Sequence, residues 1–575
     1  MEKIKPMLLT TLKDYNSAQF GKDVIAGVIV AIIALPLSIA LGLASGVGPE
    51  QGIYTAIVAG FLISAFGGSQ VQIAGPTAAF ATIVAGVVAE NGMDGLIVAT
   101  VLAGIFLIIM GVCQLGNLIK FIPFTITTGF TSGIAVTIVI GQLKDFFGVT
   151  YESGMAPVET MEKMECFVEC IGTFNVDALI VGLVCMAILI IMPHIAEKIP
   201  GSLVAVIVSV LMVKFLPLEV NTIGDLYTIT GGLPKLHIPN ISLGLIQDAL
   251  PDAFTIAVLA AIESLLSCVV ADGMISGKHR SNTELVGQGI GNVASALFGG
   301  IPATGAIART AANVKNGGRT PVAGMVHAVV LLLVLLVLMP YAEWIPMPAI
   351  AAILFMVAYN MCQWRTFVNL LKTSPKSDII VLVVTFVLTV VFDLVIAIEA
   401  GMVFACVLFM KRMSEETSVD RWKYVEEVLS EEELAEADLK EKAEQENLRL
   451  IPMSISVYEI TGPLLFGAAD QLNEIMVREH TQVLVLRMRS VPALDSTAMN
   501  SLTELYKRCQ KRHITMILSH VNDQPWKAMD KAGFIDLVGR ENFCENIDAA
   551  IERAEMLVGF VPEHKTETEA ESKAE

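Results

Sequence analysis

The chain has 575 residues, of which 54% are hydrophobic and only 17% charged, and its mean hydropathy is +0.66. Those values exclude a purely soluble globule and point to a polytopic membrane protein with a soluble part. The net charge of −19 is uneven: 20 Lys+Arg and 25 Asp+Glu precede residue 413, while 18 and 32 follow it. An apolar body therefore leads into an acidic C-terminal part, which gives no basis for nucleic-acid binding.

Residues 1–22 are polar and read as a cytoplasmic N-terminal segment without a cleavable signal, so the first apolar run is expected to stay as a span. A transmembrane domain is expected over 23–412. Apolar runs recur there at 24–44, 51–67, 76–89, 95–116, 122–143, 178–194 and 201–216, and again at 253–272, 284–298, 303–314, 321–340, 348–362, 378–396 and 398–412. That makes about fourteen spans. The runs 76–89 and 303–314 are too short to cross alone.

With the N-terminus inside, the inner loops hold 15 Lys and Arg residues, and the outer loops hold only Lys144, Lys163, Lys214 and Lys235. This bias places both termini in the cytoplasm and requires an even number of spans. Of the nine cysteines, Cys113, Cys185, Cys268 and Cys406 lie in apolar runs and read as small core residues. Cys166 and Cys170 sit in an acidic outer loop, where either a disulfide or two free thiols on one helical face is open. No zinc spacing and no cofactor motif occurs, so neither a metal nor a cofactor is expected.

Residues 413–449 form an acidic linker, in which Ser430 and Glu433 have capping-box spacing. From 450 to 555 the pattern changes. "RLIPMSISVYEITG" and "TQVLVLRMRSV" read as strands; "AADQLNEIMVREH", "STAMNSLTELYKRCQKR" and "PWKAMDKAGF" read as helices. That alternation implies a small α/β domain with a largely parallel sheet. Residues 556–575 read as a disordered tail.

The two short runs form a matched pair. "SQVQIAGPTAAFATIVAG" from Ser69 and "FGGIPATGAIARTAAN" from Phe298 each carry a Pro, Pro76 or Pro302, followed by small residues that open a short helix. Each is the third span of a set of seven, and two consecutive sets of seven must have opposite topology. Broken helices at matching places in two inverted halves are the sequence mark of a transporter binding site. A helix that starts mid-membrane leaves its first N–H groups unpaired and carries partial positive charge there. Two such ends facing each other bind an anion. Ala78, Ala79, Gly305 and Ala306 are small enough to let backbone approach the ligand, and the hydroxyls of Thr77 and Thr304 can donate to it.

Arg309 lies on the 303–314 helix. A buried Arg costs roughly 2.5 kcal/mol or more on insertion scales, so it pairs or faces water. It is either an attractor for the anion or a structural partner of a carboxylate. Glu263, in "AAIESLLSCVVAD", is mid-span, with Ser267 four residues on and on the same face. A carboxyl in apolar surroundings can hold a proton at accessible pH. Glu263 is therefore a candidate H+ coupling site. With Ser267 and backbone carbonyls it could instead ligate Na+, or it could form a fixed ion pair with Arg309.

At these residues the chain resembles the sulfate permease (SulP) family, the bacterial relatives of the human anion transporters that include prestin. The stretch "ESLLSCVVADGMISGKHRSNTELVGQGIGNVASALFGGIPATGAIARTAANVKNGGRTPVAG" carries the resemblance. So does the N-terminal "DVIAGVIVAIIALPLSIALGLASGVGPEQGIYTAIVAGFLISAFGGSQVQIAGPTAAF". "VPALDSTAMNSL" resembles the family's STAS domain. The resemblance implies fourteen spans in a 7+7 inverted repeat with a C-terminal cytoplasmic α/β STAS domain. It implies an anion site at Thr77, Ala78, Ala79, Phe80, Thr304, Gly305 and Ala306, core–gate motion, and a homodimer. Leu37 after the first-span Pro36 is similar to the cyanobacterial bicarbonate branch, which has an Asp and a Thr in place of Glu263 and Ser267 and uses Na+. A Glu there resembles proton-coupled members that carry dicarboxylates.

Ser496 and Thr497, after Asp495, stand where anti-sigma antagonists are phosphorylated, and a helix N-terminus suits a phosphate. Plain N-capping by Asp495 or Ser496 is the other reading. A regulatory role and a cytoplasmic regulator are implied for this domain.

The expected function is secondary active transport of sulfate or a related inorganic or carboxylate anion across the cell (inner) membrane, as H+ symport. A Na+-coupled bicarbonate transporter, a C4-dicarboxylate transporter and an anion exchanger are the alternatives, and a membrane anion sensor signalling through STAS is one of a different class. A nucleobase transporter of the same architecture is opposed by the STAS domain and the "GAIARTAANVKNGGRTP" run. An enzyme is not expected: HExxH and GxSxG are absent, and "DGMISGKH" misses a P-loop at Asp272 and His279.

Overall fold

The structure, a computed structural model, describes residues 4–117, 122–151, 157, 159–195, 200–227, 229, 232–239, 242–392, 394–423, 425–428, 449–475, 478 and 480–560. Lys3, Lys120 and Lys198 of the inner loops, the capping-box pair Ser430 and Glu433, and the tail from 561 lie outside the described residues. The chain divides into two compact units, Met1–Ala405 and Cys406–Glu575.

In the first unit the apolar runs become α1 (Ser17–Ala44), α2 (Pro49–Phe66), α3 (Ala81–Val112), α4 (Phe124–Phe147), α5 (Val176–Ile195) and α6 (Gly201–Phe215). The second half gives α7 (Leu243–Ile275), α8 (Ser281–Leu297), α9 (Ile307–Lys315), α10 (Val322–Leu338), α11 (Met347–Cys362), α12 (Lys376–Val391) and α13 (Leu394–Glu415). Among the described residues, seven helices are long and apolar enough to cross a membrane alone. The others are shorter or more polar.

The ends follow local chemistry. Asn16 caps α1 by accepting from Gln19 N at 2.8 Å, Pro49 opens α2, and Ser242 caps α7 through Leu245 N. That cap starts α7 ten residues before the expected 253, and the helix runs on through Pro251. The expected spans 76–89 and 95–116 are joined in one helical run through α3, broken only at Gly92 with φ 66° and ψ −170°. A side chain would be strained in that conformation, and glycine adopts it freely.

Packing sorts the spans into two groups. α10 lies on α1 and α2, and α8 lies on α2 and α3, with α7 on α3. In the other group, α4 packs on α11 and α12, and α5 packs on α6 and α11. Spans one to four of the first half thus join spans one to four of the second, as an inverted 7+7 repeat requires. Asp23, fully buried at the start of α1, ties that helix to the segment before α10. It accepts from Tyr15 Oη at 3.0 Å, Thr320 Oγ1 at 2.6 Å and Arg319 N at 2.9 Å. Cys166 and Cys170 are four apart on and just after the outer helix Thr160–Glu169, and both are free thiols.

The second unit holds a five-stranded sheet in the order β3-β6-β7-β8-β9: Ser418–Arg421, Ile455–Thr461, Val483–Ser490, Thr515–Ser519 and Phe543–Cys544. Between β3 and β6, the strands β4 (Val425–Val428) and β5 (Arg449–Pro452) form a separate parallel pair. β3 runs antiparallel to β6, and the remaining neighbours are parallel. Both faces are covered, so alternate strand residues enter different cores. Leu484 and Leu486 pack with Ala498, Leu502 and Leu505 of α14 (Ser496–Lys511). Val483 and Val485 pack with Ala550, Ile551 and Ala554 of the C-terminal helix Ile547–Val558. Of the helix expected at "AADQLNEIMVREH", Ala469–Glu474 form a 3-10 helix, and Met476, Val477 and Glu479 lie outside the described residues.

Candidate anion site

Two extended segments cross in the middle of the first unit. β1 (Ala74–Gly75) pairs antiparallel with β2 (Thr304–Gly305), Ala74 opposite Gly305 and Gly75 opposite Thr304. Ala306 N extends the pairing to Ile73 O at 2.9 Å. Immediately after each strand a helix begins: the 3-10 turn Ala78–Phe80 leading into α3, and α9 at Ile307. The two broken segments therefore meet through backbone, and each launches a helix from the crossing.

Neither start has a side-chain cap. The N-cap residues are Thr77 and Ala306, and neither side chain accepts a hydrogen bond from its helix. The first N–H groups of both helices are left for another partner. Ala78, Ala79 and Phe80 are buried, whereas Ala306 is half-buried and Ile307 and Ala308 are exposed, so the α9 start opens onto accessible space.

The threonine hydroxyls expected to donate to a ligand are committed elsewhere. Thr77 Oγ1 donates to Glu263 Oε2 at 2.9 Å. Thr304 Oγ1 lies 2.6 Å from Ser264 Oγ and 3.3 Å from Ala260 O. The helical span expected at 303–314 accordingly starts later, at Ile307, because Thr304 and Gly305 are spent on β2.

Arg309 is 3% exposed. Its Nη2 donates to Pro76 O at 3.2 Å, and its Nη1 has no partner. Among the described residues it forms no ion pair with Glu263. The guanidinium is therefore buried with an unspent donor. Such a group is costly unless a partner arrives.

Ser267 is buried and its Oγ is unpartnered. Ser264, which the spacing did not single out, links α7 to β2, and its Oγ also accepts from Gly305 N at 3.1 Å. Ser264 was missed because Ser267 shares the Glu263 face by the four-residue rule; the face that meets β2 is the next one round.

A second set of residues holds the crossing in place. Glu284 is buried and accepts from Gly68 N at 2.8 Å, Ser69 N at 3.0 Å, Gln72 Nε2 at 3.0 Å and Gln288 Nε2 at 2.9 Å. Asn292 exchanges hydrogen bonds with Ala303, donating to its O at 2.9 Å and accepting from its N at 2.8 Å. Glu284, Gln288 and Asn292 recur every four residues on α8, a polar stripe legible in the sequence as one face. A Cβ on Gly305 would run into the Gln72 amide, so only glycine lets the two segments meet.

In the second unit Asp495 caps α14, accepting from Ala498 N at 2.8 Å, and also accepts from Phe466 N at 2.8 Å. Ser496 and Thr497 are exposed in the first turn.

Residues 20–385 match the sulfate permease family and residues 450–550 match the STAS domain. The chain belongs to the sulfate permease family. It is a multi-pass membrane anion transporter with a C-terminal STAS domain. It is 40% identical to YvdB of Bacillus subtilis (strain 168), named as a candidate sulfate transporter, over 93% of this chain and 98% of that one. It is 31% identical to the bicarbonate transporter BicA of Picosynechococcus sp. (strain ATCC 27264 / PCC 7002 / PR-6), over 94% and 95%. The murine anion transporter Slc26a9 shares the fold, with a TM-score of 0.83 at 18% identity, covering 96% of this chain and 94% of that one.

Proposed function

We propose that this sulfate permease family member carries sulfate or a related small inorganic or carboxylate anion across the cell (inner) membrane by H+ symport, with both termini cytoplasmic. The anion sits between the starts of α3 and α9, beside Ala78, Ala79, Gly305 and Ala306. The observation that carries this reading is the unpartnered, buried Nη1 of Arg309 next to an uncapped helix start. Helix-end dipoles and one guanidinium attract an anion while leaving it free to depart.

Glu263 serves as the proton site. It is held by a neutral hydroxyl, Thr77, and by no ion pair, so its carboxyl can gain or lose a proton without breaking a salt bridge. Protonation would also change the charge facing the α3 start, which couples the proton to the anion. The STAS domain supports a homodimer and regulates the carrier, with Ser496 and Thr497 as exposed acceptors for phosphorylation.

A second reading is Na+-coupled bicarbonate transport. It is favoured by the 31% identity to BicA and by the unpartnered Ser267 Oγ, a ready oxygen ligand on the same helix as Glu263.

Uptake into proteoliposomes tests both. Labelled sulfate, bicarbonate and fumarate are each offered with an inward H+ or Na+ gradient. Uptake of one anion driven by H+ is expected. Uptake driven by Na+ alone selects the second reading. Gradient-independent counterflow gives anion exchange. Binding without flux leaves a sensor signalling through STAS and ends the transport reading.

A further inference from the structure

A groove runs along the seam between the two packing groups of the first unit. One wall is α6, whose Leu203, Val206, Ile207, Val210 and Leu211 fall at helical spacings of three and four and so form one stripe. The facing wall comes from α1, α2 and α10, through Leu35, Ile53 and Val334, and from the 3-10 helix Met339–Trp344. The groove holds about 270 Å³, and every residue that lines it is apolar or aromatic. Ile207 and Leu211 are half-exposed, so it opens sideways, out of the bundle and toward the bilayer.

Lys214 continues the α6 stripe three residues beyond Leu211, at the end that the charge bias places outside. Its Nζ lies 4.0 Å from the centre of the Trp344 ring, which lines the groove, and Tyr341 meets that ring edge-on at 5.3 Å. Trp and Tyr gather at the membrane–water boundary, where a lysine stem lies along apolar surface and its ammonium reaches the headgroups. Among the described residues Lys214 forms no ion pair. Glu343, the acid of the 3-10 helix, packs against Gly224 and does not line the groove. A cation without a counter-charge thus stands at one end of an apolar groove.

Length and charge decide the occupant. From Leu203 to Lys214 the helix rises about 16 Å, and one leaflet's share of the hydrocarbon core is about 15 Å. That is the reach of one acyl chain beneath one headgroup. A free inorganic anion would find no polar partner below Lys214, and a neutral hydrocarbon would leave the ammonium without a counter-charge. We propose that the groove binds an anionic phospholipid of the outer leaflet, with one acyl chain along the α6 stripe and the phosphate on Lys214. The site shares no residue with the β1–β2 crossing and does not depend on which anion is carried. Its walls belong to different packing groups, so occupancy by the lipid and the relative placement of those groups are linked.

The test is fluorescence quenching of the full chain in phosphatidylcholine nanodiscs that contain a rising fraction of phosphatidylglycerol or phosphatidylcholine brominated on the acyl chain. The signal of Trp344 is the wild-type emission less that of Trp344→Phe, which isolates the groove from the other tryptophans. Brominated phosphatidylglycerol is expected to quench it half-maximally at a fraction at least about tenfold lower than brominated phosphatidylcholine, because only the former brings net charge to the ammonium. Lys214→Met keeps the stem and is expected to abolish that preference, and Lys214→Arg to retain it. Val210→Phe, monodisperse and with Lys214 intact, fills the groove and is expected to weaken quenching by both lipids. Equal quenching by the two lipids in the wild type, or an undiminished preference in Lys214→Met, overturns the proposal. No quenching of Trp344 by either lipid overturns it too, since the groove is then covered by protein, a second copy of this chain included.

Discussion

Thr77 Oγ1 donates to Glu263 Oε2 at 2.9 Å, joining the N-cap ahead of the third span to the middle of the eighth. A neutral hydroxyl thus holds the carboxyl. Glu263→Gln keeps an oxygen for Thr77 to donate to but cannot titrate. The variant is expected to fold and to bind anion, while its uptake no longer responds to an imposed pH gradient. Uptake in proteoliposomes at several inward pH gradients checks this. A pH response equal to the wild type's would remove Glu263 as the proton site.

Arg309→Ala separates binding from folding. The guanidinium spends one nitrogen on Pro76 O and leaves Nη1 unpaired, so removing it discards a buried charge with little bonded to it. Thermal stability without anion is expected to hold or rise. Anion uptake is expected to fall at least about tenfold, the loss of one charge-assisted contact of about 1.5–3 kcal/mol. Melting temperature with and without sulfate, beside uptake rate, gives the comparison. A large drop in stability with normal transport would make the residue structural.

Ser264 and Ser267 should behave oppositely despite lying three residues apart. Ser264→Ala leaves Gly305 N and the Thr304 hydroxyl without their shared partner, at a cost of about 1–3 kcal/mol. Ser267→Ala removes a hydroxyl with no partner and is expected to be neutral in stability. Denaturation of both purified variants measures the difference. Equal effects would mean that the β2 link is not maintained by Ser264.

The path from sequence to this site was uneven for physical reasons. Each of the fourteen apolar runs became helical at least in part, because hydropathy and length are local properties that the sequence carries directly. Pro76 and Pro302 marked the broken pair. What the spacing did not carry was the pairing of β1 with β2, a contact between residues 74–75 and 304–305 that no local period encodes. The same long range hid the partners of Thr77 and Thr304, which come from α7. Arg309 and Glu263 were legible as charges out of place, and whether they paired depended on tertiary geometry. The stripe Glu284, Gln288 and Asn292 was visible at four-residue spacing, and its target, the segment 68–72 and Ala303, was not.

Gly305→Ala tests how tightly the crossing is drawn. The added methyl meets the Gln72 amide, whose nitrogen is held by Glu284 and so cannot swing away freely. A cost of about 1–3 kcal/mol is expected from overpacking. Gln72→Ala in the same chain is expected to restore part of it by removing the obstacle. A double-mutant cycle in thermal unfolding reads the coupling, and additive effects would show that Gln72 and Gly305 do not oppose each other.

Asp495 and Ser496 share the start of α14 but have different work. Asp495 accepts from Ala498 N and Phe466 N, so Asp495→Ala releases two backbone donors. A loss of about 1–2 kcal/mol is expected for the cap alone, with loosening of the loop at Phe466. Ser496→Ala and Thr497→Ala touch exposed hydroxyls and are expected to leave stability within about 0.5 kcal/mol of wild type. If either residue is a modification site, its Ala variant loses phosphate incorporation, seen by intact-mass analysis of protein from the native host, at unchanged stability. Phosphate retained in the double Ser496→Ala, Thr497→Ala variant, or absent from the wild type, would leave the α14 start with capping alone as its chemistry.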